Sequence, residues 1–195
     1  MDRDTELALV DGIRRRDAAA FDAVYDAYRS RLFSFLLRSY RRREVAEDLL
    51  EETWLRVVAS ASDLRPDTRL APWLFTVARN LYWSYCRSRM VEERFEAALP
   101  NLWPAARAQP SPFEQAAASE LERRVERALA ALPARTREAL VLVGIEGLTP
   151  TEAALVCGIA PEAMRQRLAR ARALLSETIG ASDGDDDRED KGATP

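Results

Sequence analysis

Four prolines, Pro100, Pro104, Pro110 and Pro112, fall within thirteen residues near the middle of the chain. Proline locks φ, lacks an amide donor and clashes with the carbonyl one turn back, at a cost of about 3 kcal/mol or more inside a helix. No helix interior runs through such a stretch, so it reads as a linker. On either side, apolar residues recur at the three-and-four spacing of a single buried helical stripe. With seven glycines and no run of alternating β-branched residues, nothing reads as a strand. The expected fold is therefore all-α: two small helical domains, 1–96 and 114–178, joined by a proline-rich linker, 97–113.

Local signals subdivide the two halves. A short helix is expected around residues 5–15. Asp17 stands as N-cap before a long helix whose inward stripe is Phe21, Val24, Tyr25, Tyr28, Leu32, Phe35 and Leu36. A second long helix covers REVAEDLLEETWLRVVAS, and a third covers LAPWLFTVARNLYWSYCRSR, where Pro72 falls in a first turn that loses no backbone donor. The loop SDLRPDTR lies between them. In the second half, TPTEAALVCGIAPEAMRQRLARARALL reads as a short helix from near Thr149, a break at Gly158 and a helix opened by Pro161, which is the helix-turn-helix outline.

Composition bounds the chemistry. At 47% apolar residues the chain can bury a core, and its longest apolar runs fall far short of the roughly 18 residues that suggest a membrane span. The acidic start, MDRDTELALV, has no signal-peptide pattern, so a cytoplasmic chain with no membrane insertion is expected. Histidine is absent and the only cysteines are Cys86 and Cys157, so neither a zinc site nor a disulfide framework has its ligands. Both cysteines read as small buried hydrophobes. No nucleophile–base pair and no phosphate-cradling glycine loop is present, so no enzyme activity, small-molecule substrate, metal or cofactor is expected.

The net charge of −3 is unevenly spread. Arginine outnumbers lysine 28 to one, and DGDDDRED alone holds six acids. Without the segment from Asp183 onward, 27 bases face 26 acids. The acidic balance thus belongs to the end of the chain, where 179–195 is expected to be a disordered tail.

Three surfaces stand out against the ordinary reading of charge as a solvated face. On the last helix, Met164, Leu168, Ala171 and Leu175 share an inward face, which leaves Arg165, Gln166, Arg167 and Arg170 for major-groove edges and phosphates. On the second long helix, Glu44, Glu47, Asp48, Glu51 and Glu52 form an acidic stripe beside Ala46, Leu50, Trp54 and Val57, suited to a basic protein surface. On the third, Trp73, Thr76, Asn80, Trp83, Ser84 and Arg87 form a face able to stack on and hydrogen-bond unpaired bases, with core burial of the tryptophans as the alternative.

In order and spacing, DAAAFDAVYDAYRSRL, AEDLLEETWLRV, APWLFTVARNLYWSYCRSR, LPARTREALVLVGIEGLTPTEAA and RLARARALL resemble the extracytoplasmic-function (ECF) group of bacterial sigma-70-family factors. The resemblance implies a transcription initiation factor that works with core RNA polymerase, promoter DNA and an anti-sigma factor. It implies polymerase contacts at Asp48, Leu49, Glu51, Glu52 and Trp54. Melting and reading of the minus-ten element would fall to Asp63, Arg65, Arg69, Trp73, Arg79, Asn80, Trp83 and Arg87. Reading of the minus-thirty-five element would fall to Arg165, Gln166, Arg167, Arg170 and Arg172. The chain departs from the family pattern at Glu51, at Ser84 and at the start of the recognition helix, Ala160 to Ala163, where Glu162 would repel phosphate. A sigma-like interaction module that binds a regulator or polymerase without reading promoters is the alternative.

Overall fold

The computed structural model describes residues 1–97 and 119–189, and every described element is helical. The expected linker lies, apart from Ala97, outside the described residues, as does 190–195.

The N-terminal module contains α1 (Arg3–Arg14), α2 (Ala18–Tyr40), α3 (Arg43–Ala59), a 3-10 turn at Ala61–Asp63, and α4 (Leu70–Ala97). Asp2 starts α1 by accepting the Thr5 amide, and Asp17 starts α2 by accepting the Ala19 amide, the role its position before the apolar stripe predicts. Helix α2 stops where Arg41 turns left-handed at φ 65° and donates its amide to the Leu37 carbonyl. Val24, Tyr28, Leu32, Phe35 and Leu36 are buried, and Phe35 meets Phe75 of α4 edge-on at 5.4 Å between ring centres. Each such side chain contributes about 1.5–3 kcal/mol by leaving water, so this stripe carries the module. The start of α4 is held from a distance: the buried Glu6 of α1 accepts the Leu70 amide at 2.8 Å. A carboxylate at a helix N-terminus satisfies an orphan donor and complements the helix dipole.

The C-terminal module contains α5 (Glu120–Ala131), α6 (Ala134–Leu140) running into a π turn at Val141–Ile145, α7 (Pro150–Cys157) and α8 (Pro161–Glu189). Reciprocal capping boxes start α5, with Ser119 and Glu122, and α7, with Thr149 and Glu152. Gly158 closes α7 at φ 63°, a conformation glycine adopts without a Cβ penalty. Met164, Leu168 and Ala171 of α8 are buried and Leu175 is half-buried, so α7 and α8 form the expected helix-turn-helix. The segment from 179, expected as a disordered tail, instead continues α8 to Glu189. Once a helix is nucleated, each added residue gains a hydrogen bond without a further nucleation cost.

The two expected helical domains are present, and they pack against each other. One contiguous apolar cluster runs from Val10 to Leu168, with α4 packed on α7 and α2 on α6. Inside the first module α1 crosses α2 closely, and a Cβ on Gly12 would lie 2.4 Å from the Ala20 Cβ. Gly12→Ala should therefore lower stability by about 1–3 kcal/mol despite its gain of about 1 kcal/mol in helix propensity. Adding Ala20→Gly should restore part of the loss. Urea unfolding of the single and double variants checks both outcomes.

Candidate nucleic-acid interface

Helix α3 separates its two characters cleanly. Glu44, Glu47, Asp48 and Glu51 are exposed and Glu52 is half-exposed, whereas Leu49, Leu50, Trp54 and Val57 face the core. Leu49 and Trp54, assigned above to a polymerase contact, are each only 7% exposed. Trp54 lies against Phe21 and Tyr25, with ring centres 5.8 and 4.8 Å away. They support the acidic face from beneath and do not present a surface of their own. Leu55 and Val58, outside the acidic and buried stripes named above, are 65% and 53% exposed and extend the acidic face with an apolar end. Their spacing of three residues, out of phase with the buried stripe, was the available signal.

The face of α4 is split by its neighbour. Asn80, Ser84 and Arg87 are exposed and Trp73 is half-buried. Trp83, expected on the open face, and Arg79, assigned to the minus-ten element by the family resemblance, turn toward the C-terminal module. The Arg79 Nε and the Trp83 Nε1 each donate to the same Glu138 Oε1 at 2.8 Å. Glu138 is 1% exposed. Its other oxygen lies 3.5 Å from the Cys157 Sγ. Burial, reinforced by the Glu138 charge, pushes the Cys157 thiol up to about 12, so it stays protonated and inert. The guanidinium of Arg135 stands 5.3 Å from the centre of the Trp83 ring. In the preceding loop, Asp63 is exposed, Arg65 pairs with Asp67 at 3.1 Å, and Arg69 bridges Glu6 at 3.1 Å and Glu152 at 3.2 Å.

On α8, Arg165, Gln166, Arg170 and Arg172 are exposed and Arg167 is half-buried. Glu162, whose charge would repel phosphate, pairs with Arg165 one turn on, so each offsets the other. Arg170 and Arg172 add exposed positive charge farther along the helix.

Comparison with known proteins gives this geometry a family. The Sigma-70 region 2 family matches residues 24–91, from within α2 to within α4, and the Sigma-70 region 4 family matches 122–175, from α5 into α8. The chain is 40% identical to the ECF RNA polymerase sigma factor EcfG of Rhodopseudomonas palustris over 146 residues, which cover 73% of this chain and 77% of that protein. It is 34% identical to the RNA polymerase sigma factor CarQ of Myxococcus xanthus over 169 residues, 86% of this chain and 94% of CarQ. The chain belongs to the ECF group of the sigma-70 family.

This sigma factor also shares its fold with the sigma factor RpoE of Bartonella quintana, solved in complex with the anti-sigma factor NepR. The TM-score is 0.68 at 27% identity, covering 82% of this chain and 96% of that one. Transcription initiation through core RNA polymerase is the family's function, inferred for this chain by homology. Sigma factors are not enzymes, and among the described residues no group of three or more His, Cys, Asp or Glu is placed to hold a metal ion. No described helix is long and apolar enough to cross a membrane.

Two carboxylates of this sigma factor's module interface respond to pH in opposite senses. Burial raises Glu146 above its ordinary value of 4.5, opposed by the charge of and hydrogen bond from Arg31. Burial also works to raise Glu152, but the Thr149 amide and hydroxyl, together with Arg69, hold it below 4.5. Folded Glu146 keeps its proton to higher pH than the unfolded chain does, so its contribution to stability declines as pH rises from 4.5 through the raised value. Glu152 contributes stability that is present above 4.5 and lost as pH falls through its lowered value. In urea unfolding across the acidic range, Glu146→Gln should therefore remove a downward slope of stability with pH. Glu152→Gln should cost stability at neutral pH and progressively less on acidification.

Proposed function

We propose that the chain binds core RNA polymerase through the exposed acids of α3 and directs it to specific promoters. In this reading Asn80, Ser84, Arg87 and Trp73 of α4, with loop 63–69, capture bases of the melted minus-ten element, and Arg165, Gln166, Arg167, Arg170 and Arg172 of α8 read the minus-thirty-five element. The observation that carries it is the division of α3, where acids stand in water on a helix whose opposite face is core. Exposed acids of this kind contribute little to stability, so their clustering is better accounted for by a basic partner. The arginines and glutamine on the outer face of a helix-turn-helix recognition helix add the chemistry of groove and phosphate contact. The complex of RpoE with NepR supports an anti-sigma partner for this chain as well.

A second reading, an interaction module that does not read promoters, draws on two observations. Glu138 occupies Arg79 and Trp83, and Glu162 occupies Arg165. Run-off transcription and permanganate footprinting with core polymerase on a pool of host promoters separate the two. A promoter-reading factor yields transcripts and reactive thymines on a subset of templates, and an interaction module yields neither.

Two variants test the division of labour. Asp48→Arg should leave thermal unfolding nearly unchanged while weakening association with core polymerase. Equal losses of helicity and binding would return Asp48 to a structural role. Opening a duplex forfeits about 1.4 kcal/mol of stacking per base-pair step, which an initiation factor recovers by capturing the freed bases. Asn80→Ala should thus retain polymerase binding yet reduce permanganate reactivity, and a template with a pre-melted bubble should relieve the defect.

A further inference from the structure

Helix α1 lies ahead of residues 24–91, which the region 2 family matches, and has no part in the function proposed above. Two of its side chains nevertheless hold the loop to which base capture is assigned there. The Arg3 Nη2 donates to the Asp67 carbonyl at 2.9 Å and its Nη1 to the Thr68 carbonyl at 3.3 Å. One turn on, Glu6 is 6% exposed and accepts the Leu70 amide at 2.8 Å on one oxygen. Its other oxygen takes the Arg69 Nε at 3.1 Å together with Arg3 itself. Four consecutive residues, 67–70, are thus tied to two neighbours on one face of one helix. The other end of the loop is fixed by burial, since Ala61 and Leu64 are core and α1 packs on the 3-10 turn at 61–63. Between these anchors Arg65, Pro66 and Asp67 stand exposed in a tight turn, closed by the Thr68 amide on the Arg65 carbonyl at 3.1 Å.

We infer that α1 positions the minus-ten reader: Arg3 and Glu6 fix the backbone of 67–70 and thereby set which base the exposed turn accepts. The inference rests on the promoter-reading proposal for the identity of the loop's ligand. Selecting one base edge over another requires recognition groups held to within about half an ångström. A loop has no hydrogen-bond ladder of its own to do this, so its backbone groups must find partners on a neighbouring element. The planar fork of Arg3 spans two successive carbonyls, a geometry that the single ammonium of a lysine does not reproduce. The helix that carries it is itself fixed, with Asp2 accepting the Thr5 amide at one end and Val10 and Ile13 buried toward the other. Arg3 and Glu6 are therefore positioning residues, which act on the bases through the loop and touch none themselves.

The test uses the full chain bound to core polymerase. The probe is a labelled single-stranded oligonucleotide with the minus-ten sequence of a host promoter, in competition with strands altered at one base each. Arg3→Ala should keep wild-type helicity and polymerase association, because the Arg3 side chain is 40% exposed and lies on a different helix from the acids of α3. Its preference for the cognate base at one or more positions should fall about threefold or more. Arg3→Lys should recover part of that preference. Glu6→Gln keeps an oxygen for the Leu70 amide but loses the charge that holds Arg69 and Arg3, and should lose preference in the same direction. If Glu6→Gln does not fold, Arg3→Ala decides. Hydrogen exchange should quicken across 63–70 in both variants and stay unchanged in α2 and α3. A purely structural role would instead weaken all strands alike and lower the melting temperature, and that outcome overturns the inference. So does a folded Arg3→Ala variant that keeps the full preference of a selective wild type, which leaves the promoter-reading proposal standing. A wild-type holoenzyme that prefers no strand sinks that proposal and this inference with it.

Discussion

The C-terminal half meets α4 at one deeply buried carboxylate, whose need for partners constrains how the two modules can pack. Glu138 projects from α6 into a site where its acceptors are satisfied by α4, through Arg79 and Trp83, and approached by the Cys157 thiol of α7. A charge so deeply buried is tolerated only with close partners. Meeting that requirement brings three helices from two modules to one point, and α8 follows because it packs on α6 and α7. The direction in which α8 faces is thus tied to an electrostatic condition at its base as well as to the apolar cluster that the modules share.

Around that point the charges are sorted by destination. The acids of α3 face water, most of the arginines of α8 face water, and the charges of the interface are paired across it. The near balance of bases and acids ahead of the acidic end therefore conceals a strongly structured surface. An acidic chain can present an arginine helix because its opposite charges stand on different faces or are held in pairs between the modules. The pairs differ in cost: Arg69 is 58% exposed and loses little hydration, while Arg79 is nearly buried and depends on Glu138 for its stability there.

Local physics was legible residue by residue. Asp17 before an apolar stripe, Thr149 with Glu152, Gly158 after α7 and Pro161 at the start of α8 each report a helix end through groups within a turn of one another. The inward stripe of α2 and the acidic stripe of α3 were legible for the same reason, since helical period places side chains without reference to the rest of the chain. The site was legible only in part. Trp54 and Trp83 look alike as aromatic residues on amphipathic helices, yet one is packed among rings and the other donates to a carboxylate 55 positions away.

The sequence by itself determined an all-helical chain broken by prolines, the helix-turn-helix, the acidic face of α3 and the family, because these follow from periodicity, capping and motif order. Only the tertiary structure decided that Leu49 and Trp54 belong to the core, that Arg79 and Trp83 are engaged by Glu138, and that the two modules share one apolar cluster. The reason is distance along the chain. A cap or a stripe is settled by neighbours a few residues apart, whereas the partners in the module-joining ion pairs lie 59 to 115 positions apart and are brought together only by the packing of the two modules.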